Sequence, residues 1–122
     1  MIRVLIVDDH EVVRQGLRYM LEQRPDFEVV GEGSDGEEAI ALVNDLLPDV
    51  VLLDLLMPRV DGWDFLKIRK QDPALRGIPV IVVTGVSIAS DEWAQAAGAS
   101  GCLKKPVDVD ELIDRIEHSL PA

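Results

Sequence analysis

Ile2-Arg3-Val4-Leu5-Ile6-Val7-Asp8-Asp9 opens the chain with an apolar, β-branched run that ends on two acids. Four further runs of that character follow: Phe27–Gly31, Val50–Leu53, Val80–Val83 and Gly101–Leu103. Continuous apolar runs suit strands covered on both faces, since a strand with one wet face would alternate instead. Between the runs the apolar spacing turns helical. Val13, Leu17, Met20 and Leu21 form one stripe, and Ala39, Ile40, Val43, Leu46 and Leu47 a second. Ser34 and Glu37 have capping-box spacing ahead of the second helix, and Pro48 closes it. Phe65, Leu66 and Ile68 mark a weaker third helix, ending near Asp72-Pro73, and Asp91–Ala97 a short, Ala-rich fourth. Val109, Leu112, Ile113, Ile116 and Leu120, capped by Asp108, give the clearest amphipathic pattern. Strands alternating with helices imply an α/β fold, (βα)5, with a doubly wound parallel five-stranded sheet; the order 2-1-3-4-5 is a common solution.

The 122 residues suffice for one core, and no linker, repeat or low-complexity stretch divides them, so residues 1–122 are expected to form one domain. Cys102 is the sole cysteine, which excludes an internal disulfide and a multi-cysteine metal site. The opening apolar run is too short for a signal peptide, and no segment reaches transmembrane length, so a cytoplasmic, membrane-free protein is expected. A net charge of −11 repels DNA, RNA and anionic lipid, and direct nucleic-acid binding is not expected.

Ligands of such sheets bind beyond the carboxyl ends of the strands. There the sequence places Asp8 and Asp9 after the first strand, Asp54 after the third, Thr84 after the fourth, and Lys104-Lys105-Pro106 after the fifth. Three crowded carboxylates raise one another's pKa unless a cation lies between them. Oxygen ligands of this kind suit Mg²⁺, with Mn²⁺ the alternative, and a metal so held can meet phosphate oxygens. An ionised aspartate can attack phosphorus to give an aspartyl-phosphate. Lys105 would bring a positive charge to the phosphoryl oxygens and Thr84 a hydroxyl hydrogen bond.

The set Val7-Asp8-Asp9, Leu53-Asp54 with Met57-Pro58 and Asp61-Gly62, Val83-Thr84-Gly85, and Gly98-Ala99 leading to Lys105-Pro106 resembles the receiver domains of bacterial two-component response regulators. The resemblance spans essentially the whole chain in order and spacing. It implies Asp54 as phosphoacceptor, and Asp8 and Asp9 as metal ligands with Asp9 the more direct. It implies the backbone carbonyl of Leu56 as a further ligand, and Thr84 and Lys105 as the groups that sense the phosphoryl group. Lys104 would face solvent, and a cis bond would precede Pro106. The implied donor is a sensor histidine kinase or a histidine phosphotransfer protein. The implied readout is the face of the fourth helix, fifth strand and fifth helix, where an output domain, a downstream protein or a second copy would dock. The chain would be no general enzyme, catalysing only its own phosphorylation and dephosphorylation.

Two features depart from the family pattern. Cys102 stands where an aromatic partner of the switch threonine is usual, so the usual Thr–aromatic coupling lacks its ring. Gly85–Ser90 reads short and irregular for the usual loop and helix start. As a reactive thiol Cys102 is the lesser reading beside a small strand residue. His10 reads as a helix cap, a partner contact or a neighbour of the acids, and His118 as solvated. Trp63 reads as packing. Trp93, off the face that Ala94 and Ala97 would bury, reads either as an exposed contact or as simple packing, and as the better reporter of activation.

A haloacid-dehalogenase-like phosphatase or phosphotransferase is the competing reading, but it needs a second acid two residues after the nucleophile, where Leu56 stands. An FMN carrier would want a Ser/Thr/Gly-rich loop in place of Asp8-Asp9-His10-Glu11, and a pure interaction module would not need the full acid set. The chain reads either as a single-domain regulator or as the receiver of a longer protein. Its opening favours a helix-turn-helix partner, and its Asp61–Leu66 stretch a single-domain or hybrid-kinase setting.

Overall fold

A computed structural model describes residues 1–57, 60–85 and 90–121. Pro58 of the Met57-Pro58 motif and most of the irregular stretch between Gly85 and Ser90 lie outside the described residues. The strands are β1 Ile2–Val7, β2 Phe27–Gly33, β3 Val50–Leu53, β4 Val80–Thr84 and β5 Gly101–Lys104. The helices are α1 Glu11–Glu22, α2 Gly36–Leu46, α3 Gly62–Gln71, α4 Asp91–Ala96 and α5 Val109–Ser119. All strand pairs are parallel, as the alternation of runs and stripes predicts, and the order is the common solution β2-β1-β3-β4-β5.

Alternate residues of β1, β3, β4 and β5 enter different cores. Leu5, Val7, Val51, Leu53, Val80 and Val82 meet Ala39, Val43, Phe65, Leu66 and Ala94 of α2, α3 and α4. Val4, Ile6, Val50, Leu52, Ile81 and Val83 meet Leu17, Leu21, Leu112, Ile113 and Ile116 of α1 and α5. A sheet buried on both faces explains why the runs show no polar alternation.

The caps differ in one place from the expectation. Asp35, not Ser34, caps α2: its carboxylate accepts from Glu38 N at 2.8 Å, while Ser34 N donates to Glu38 Oε1 at 3.1 Å. The box is therefore shifted by one residue. The helix begins at Gly36, whose N–H reaches Val60 O at 2.6 Å and where a Cβ would collide with Val60. Asp108 caps α5 as predicted, accepting from Glu111 N at 3.0 Å. Asp61 caps α3 and Ser90 caps α4. His10 occupies the N-cap position of α1, but its side chain makes no capping bond.

Trp93 is not the separate exposed ring that the α4 pattern suggests. It is half-buried and meets Trp63 edge to face, with ring centroids 4.5 Å apart. The two indoles report on one environment, so a comparison of one against the other loses its meaning. α3 supplies a partner ring that helical periodicity within α4 could not reveal.

Arg69 is buried, and among the described residues no carboxylate meets its guanidinium. Its nitrogens donate to Ile78 O (2.9 and 2.6 Å), Arg76 O (3.0 Å) and Gly98 O (2.9 Å), tying α3 to the approach of β4 and the α4–β5 turn. Burial lowers its pKa from the usual arginine value.

Candidate functional site

Backbone bonds between strand ends set the site. Asp54 N donates to Val7 O at 2.9 Å, which places the end of β3 beside that of β1. Asp8 N donates to Gly33 O at 3.0 Å, and Lys105 N to Thr84 O at 3.0 Å. Gly62 holds the loop after β3 close, donating to Leu55 O at 2.9 Å; a Cβ there would run into Asp54 O and stand 2.7 Å from Leu55 Cα. Only a residue without a side chain fits under the acid.

Asp8 and Asp54 are 1% and 4% exposed, whereas Asp9 is open to solvent. One ligand atom from each of Asp8, Asp9, His10 and Asp54 lies within 4.8 Å of the others. Lys105 Nζ lies 2.8 Å from Asp8 Oδ2 and 3.6 Å from Asp54 Oδ1, serving as counter-charge to both buried acids. Asp54 Oδ1 also accepts from Leu55 N at 2.9 Å. Burial pushes the Asp54 carboxyl above the usual range; Asp8 adds to this, Lys105 and the Leu55 N–H oppose it, and Asp9 adds a last contribution upward. The acid-rich cluster with oxygen donors matches what a small hard cation takes. His10 joins it, with Nδ1 3.0 Å from Asp9 Oδ1 and 3.3 Å from Asp8 Oδ1.

Beside the acids opens a cleft of about 240 Å³ lined by His10, Asp54, Leu56, Thr84, Gly85 and Lys105. Thr84 is buried at the end of β4, and the Leu56 side chain is exposed at the mouth. The Lys105-Pro106 bond is cis, as expected. Asp8, Asp9, Asp54, Leu56, Thr84 and Lys105 thus gather at one edge of the sheet. Cys102 and Trp93 do not; they lie in or against the core under α4.

Sequence reasoning missed three side chains. Arg14 Nη1 donates to Asp8 O at 2.5 Å and Arg14 Nε pairs with Glu32 at 3.1 Å, bracing the first acid from behind. Asp91, the first residue of α4, accepts from Cys102 N at 2.9 Å and from Arg115 Nη1 and Nη2 at 2.6 and 3.0 Å. One carboxylate thereby joins α4, β5 and α5. The hydrogen bonds from Arg115 and Cys102 hold the Asp91 carboxyl below its ordinary pKa. Burial pushes the Cys102 thiol up, away from the thiolate that redox chemistry needs.

Comparison with known proteins agrees with this geometry. A family model for the response regulator receiver domain matches residues 4–117. The transcriptional regulatory protein LiaR of Bacillus subtilis (strain 168) is 43% identical over 118 residues, covering 95% of this chain and 54% of that protein. The nitrate/nitrite response regulator protein NarP of Escherichia coli (strain K12) is 43% identical over 115 residues, covering 93% of this chain and 53% of that protein. The chain spans about half the length of these relatives. Among solved structures, the response regulator domain of Thermotoga maritima CheB superposes with a TM-score of 0.86 at 30% identity, covering 98% of this chain and 96% of that one. With a matched family model over nearly its whole length and the acid pocket at the expected sheet edge, the chain belongs to the response regulator receiver domain family of two-component signalling.

Proposed function

We propose that Asp54 is the residue on which this receiver takes its phosphoryl group, and that Thr84 and Lys105 convert that event into a conformational change. Receiver domains of two-component regulators are phosphoryl acceptors with an acidic pocket that uses Mg²⁺. The observation that carries the assignment to Asp54 is its position: buried, beside the cleft, with Lys105 Nζ at 3.6 Å.

Asp9, Asp54, Asp8 in part through water, and the Leu56 carbonyl would hold Mg²⁺ or Mn²⁺, which when bound offsets charge on phosphoryl oxygens. Asp54 Oδ1 is engaged by Leu55 N, so Oδ2 is the oxygen free to attack. As its bond to phosphorus forms, the bond from phosphorus to the donor breaks, a phosphohistidine nitrogen of a sensor kinase or phosphotransfer protein, and the imidazole leaves with the bond's electron pair. Lys105 then exchanges Asp8 for a phosphoryl oxygen, and the Thr84 hydroxyl donates to another. Water attacking the phosphorus of the adduct would break the bond to Asp54, releasing inorganic phosphate and restoring the Asp54 carboxylate. Leu56 offers no second acid for a dehalogenase-like hydrolase.

The output proceeds through α4, β5 and α5. With Cys102 in place of a ring, the Asp91 tie to Cys102 N and Arg115 is the element that Thr84 movement would disturb. That face would then engage an output domain, a downstream protein or a second copy. The relatives named as transcriptional regulators favour an output acting on DNA in a longer protein, with residues 1–122 as its receiver module. Among the described residues no helix is long and apolar enough to cross a membrane, which fits action in the cytoplasm.

Incubation with acetyl phosphate and Mg²⁺ should add one hydroxylamine-labile phosphoryl group by intact mass, and Asp54→Asn should abolish it. Stoichiometric uptake by Asp54→Asn would overturn the assignment.

A further inference from the structure

A cleft of about 180 Å³ runs between α3 and α4, lined by Trp63, Leu66, Lys67, Lys70, Trp93 and Ala97. It lies away from the acid site and from the β5 side of α4. Its floor is apolar: two half-buried indoles meeting edge to face, with Leu66 and Ala97 beside them. Two lysines rim it, and among the described residues no carboxylate lines it. The stem of Lys70 passes beside Gly98, which turns the chain at the end of α4 with a φ of 95°.

The charge pattern makes this surface unusual for the molecule. The chain holds 23 acids and 12 bases, and four of the described arginines are paired with carboxylates. Arg14 and Arg18 pair with Glu32, Arg24 with Asp110 and Arg115 with Asp91. Lys67 and Lys70 have no carboxylate within 4 Å among the described residues. In a domain of net charge −11, two neighbouring uncommitted cations over an indole floor form a local site of opposite sign. Aromatic rings with a polar rim are the surface type on which protein partners anchor. A nucleic acid would meet the repulsion of the whole domain.

We propose that the α3–α4 cleft is a docking site for a short acidic segment of another protein. That segment carries one bulky apolar side chain, which sits on the Trp63–Trp93 pair, flanked by Asp or Glu that reach Lys67 and Lys70. Such a contact is strengthened by long-range attraction to the lysines and weakens as salt rises. It is independent of the phosphoacceptor assignment and of the α4–β5–α5 output face.

The test is selection of a phage-displayed library of random peptides of about twelve residues against the purified chain, run without additions and with Mg²⁺ and beryllofluoride. In either condition, enriched peptides should combine a bulky apolar residue with neighbouring acids. Synthetic copies should shift the indole N–H signals of both Trp63 and Trp93. Binding should weaken by about tenfold or more in Lys67→Glu/Lys70→Glu, whose changes lie on the surface, and in Trp93→Leu. The proposal is overturned if no such peptides are enriched, or if their binding ignores the lysine substitutions. It is equally overturned if their shifts map to another face, or if the double substitution changes only self-association of the chain.

Discussion

Replacing Asp54 by Asn should raise the stability of the metal-free domain while it removes the proposed phosphoacceptor. Asp8 and Asp54 present oxygens within 4.8 Å of each other. At an effective dielectric constant of about 20, two charges at that spacing repel by about 3.5 kcal/mol. Lys105, 3.6 Å from Asp54 Oδ1, returns about 4.6 kcal/mol on the same scale. The two pair energies nearly cancel, so desolvation of a carboxylate that is 4% exposed decides the sign. That cost is what leads the upward shift of the Asp54 pKa. A raised carboxyl pKa means the fold holds the proton more tightly than the unfolded chain does. Stability therefore falls as pH rises from the ordinary carboxylate range through the pKa of folded Asp54. The neutral amide escapes this loss. At neutral pH without metal, Asp54→Asn should therefore melt above the native chain. Below the ordinary carboxylate range the advantage should vanish. Mg²⁺ at a hundred times its Kd should stabilise the native chain by about 2.7 kcal/mol and the Asn variant by less. Thermal melts at several pH values, with EDTA or with Mg²⁺, measure all of this. A variant that melts below the native chain in EDTA at neutral pH would refute the account of the acid cluster.

Arg69→Met should cost about 2–4 kcal/mol in urea unfolding, because three carbonyls lose a charged donor inside the protein; a loss below about 0.5 kcal/mol would show that water replaces the guanidinium. Asp91→Asn should cost only about 0.5–1 kcal/mol at pH 7, since the pair is partly open to solvent. The depressed Asp91 pKa makes that contribution present above the ordinary carboxylate range and lost as pH falls through the pKa of the folded state, so native and variant unfolding curves should converge in acid. Gly62→Ala should destabilise by about 2 kcal/mol or more and slow phosphorylation by acetyl phosphate, because its methyl group must displace the backbone carrying Asp54. Native-like rates in that variant would show that the loop yields freely.

The architecture was legible because its signals are local and redundant. β1, β3, β4 and β5 are largely apolar runs, and each leads into a residue that the parallel topology carries to the same edge, so Asp8, Asp54, Thr84 and Lys105 could be grouped without coordinates. What stayed hidden depends on pairings across the chain. Arg69 lies in a helix whose pattern would put a charged side chain outside, and nothing nearby marks the carbonyls that receive it. Asp91 reads as an ordinary first-turn acid until α5 brings Arg115 beside it. Trp93 reads as exposed because its cover comes from α3. The Ser34-to-Asp35 shift is different in kind: both residues can cap, and the close approach of Gly36 to Val60 chooses between them.

Arg69 also gives α4 a mechanical character. At its far end the helix runs into Gly98, whose carbonyl is gripped from α3, while Ala99 N returns to Ala94 O at 2.8 Å. At its near end it is held by one solvent-accessible carboxylate on Arg115 and Cys102 N. A short rod with a fixed fulcrum and a releasable catch answers a tug at the catch by swinging, not by sliding. The six residues of α4 would then move most at the end closest to Thr84 and leave the fulcrum still.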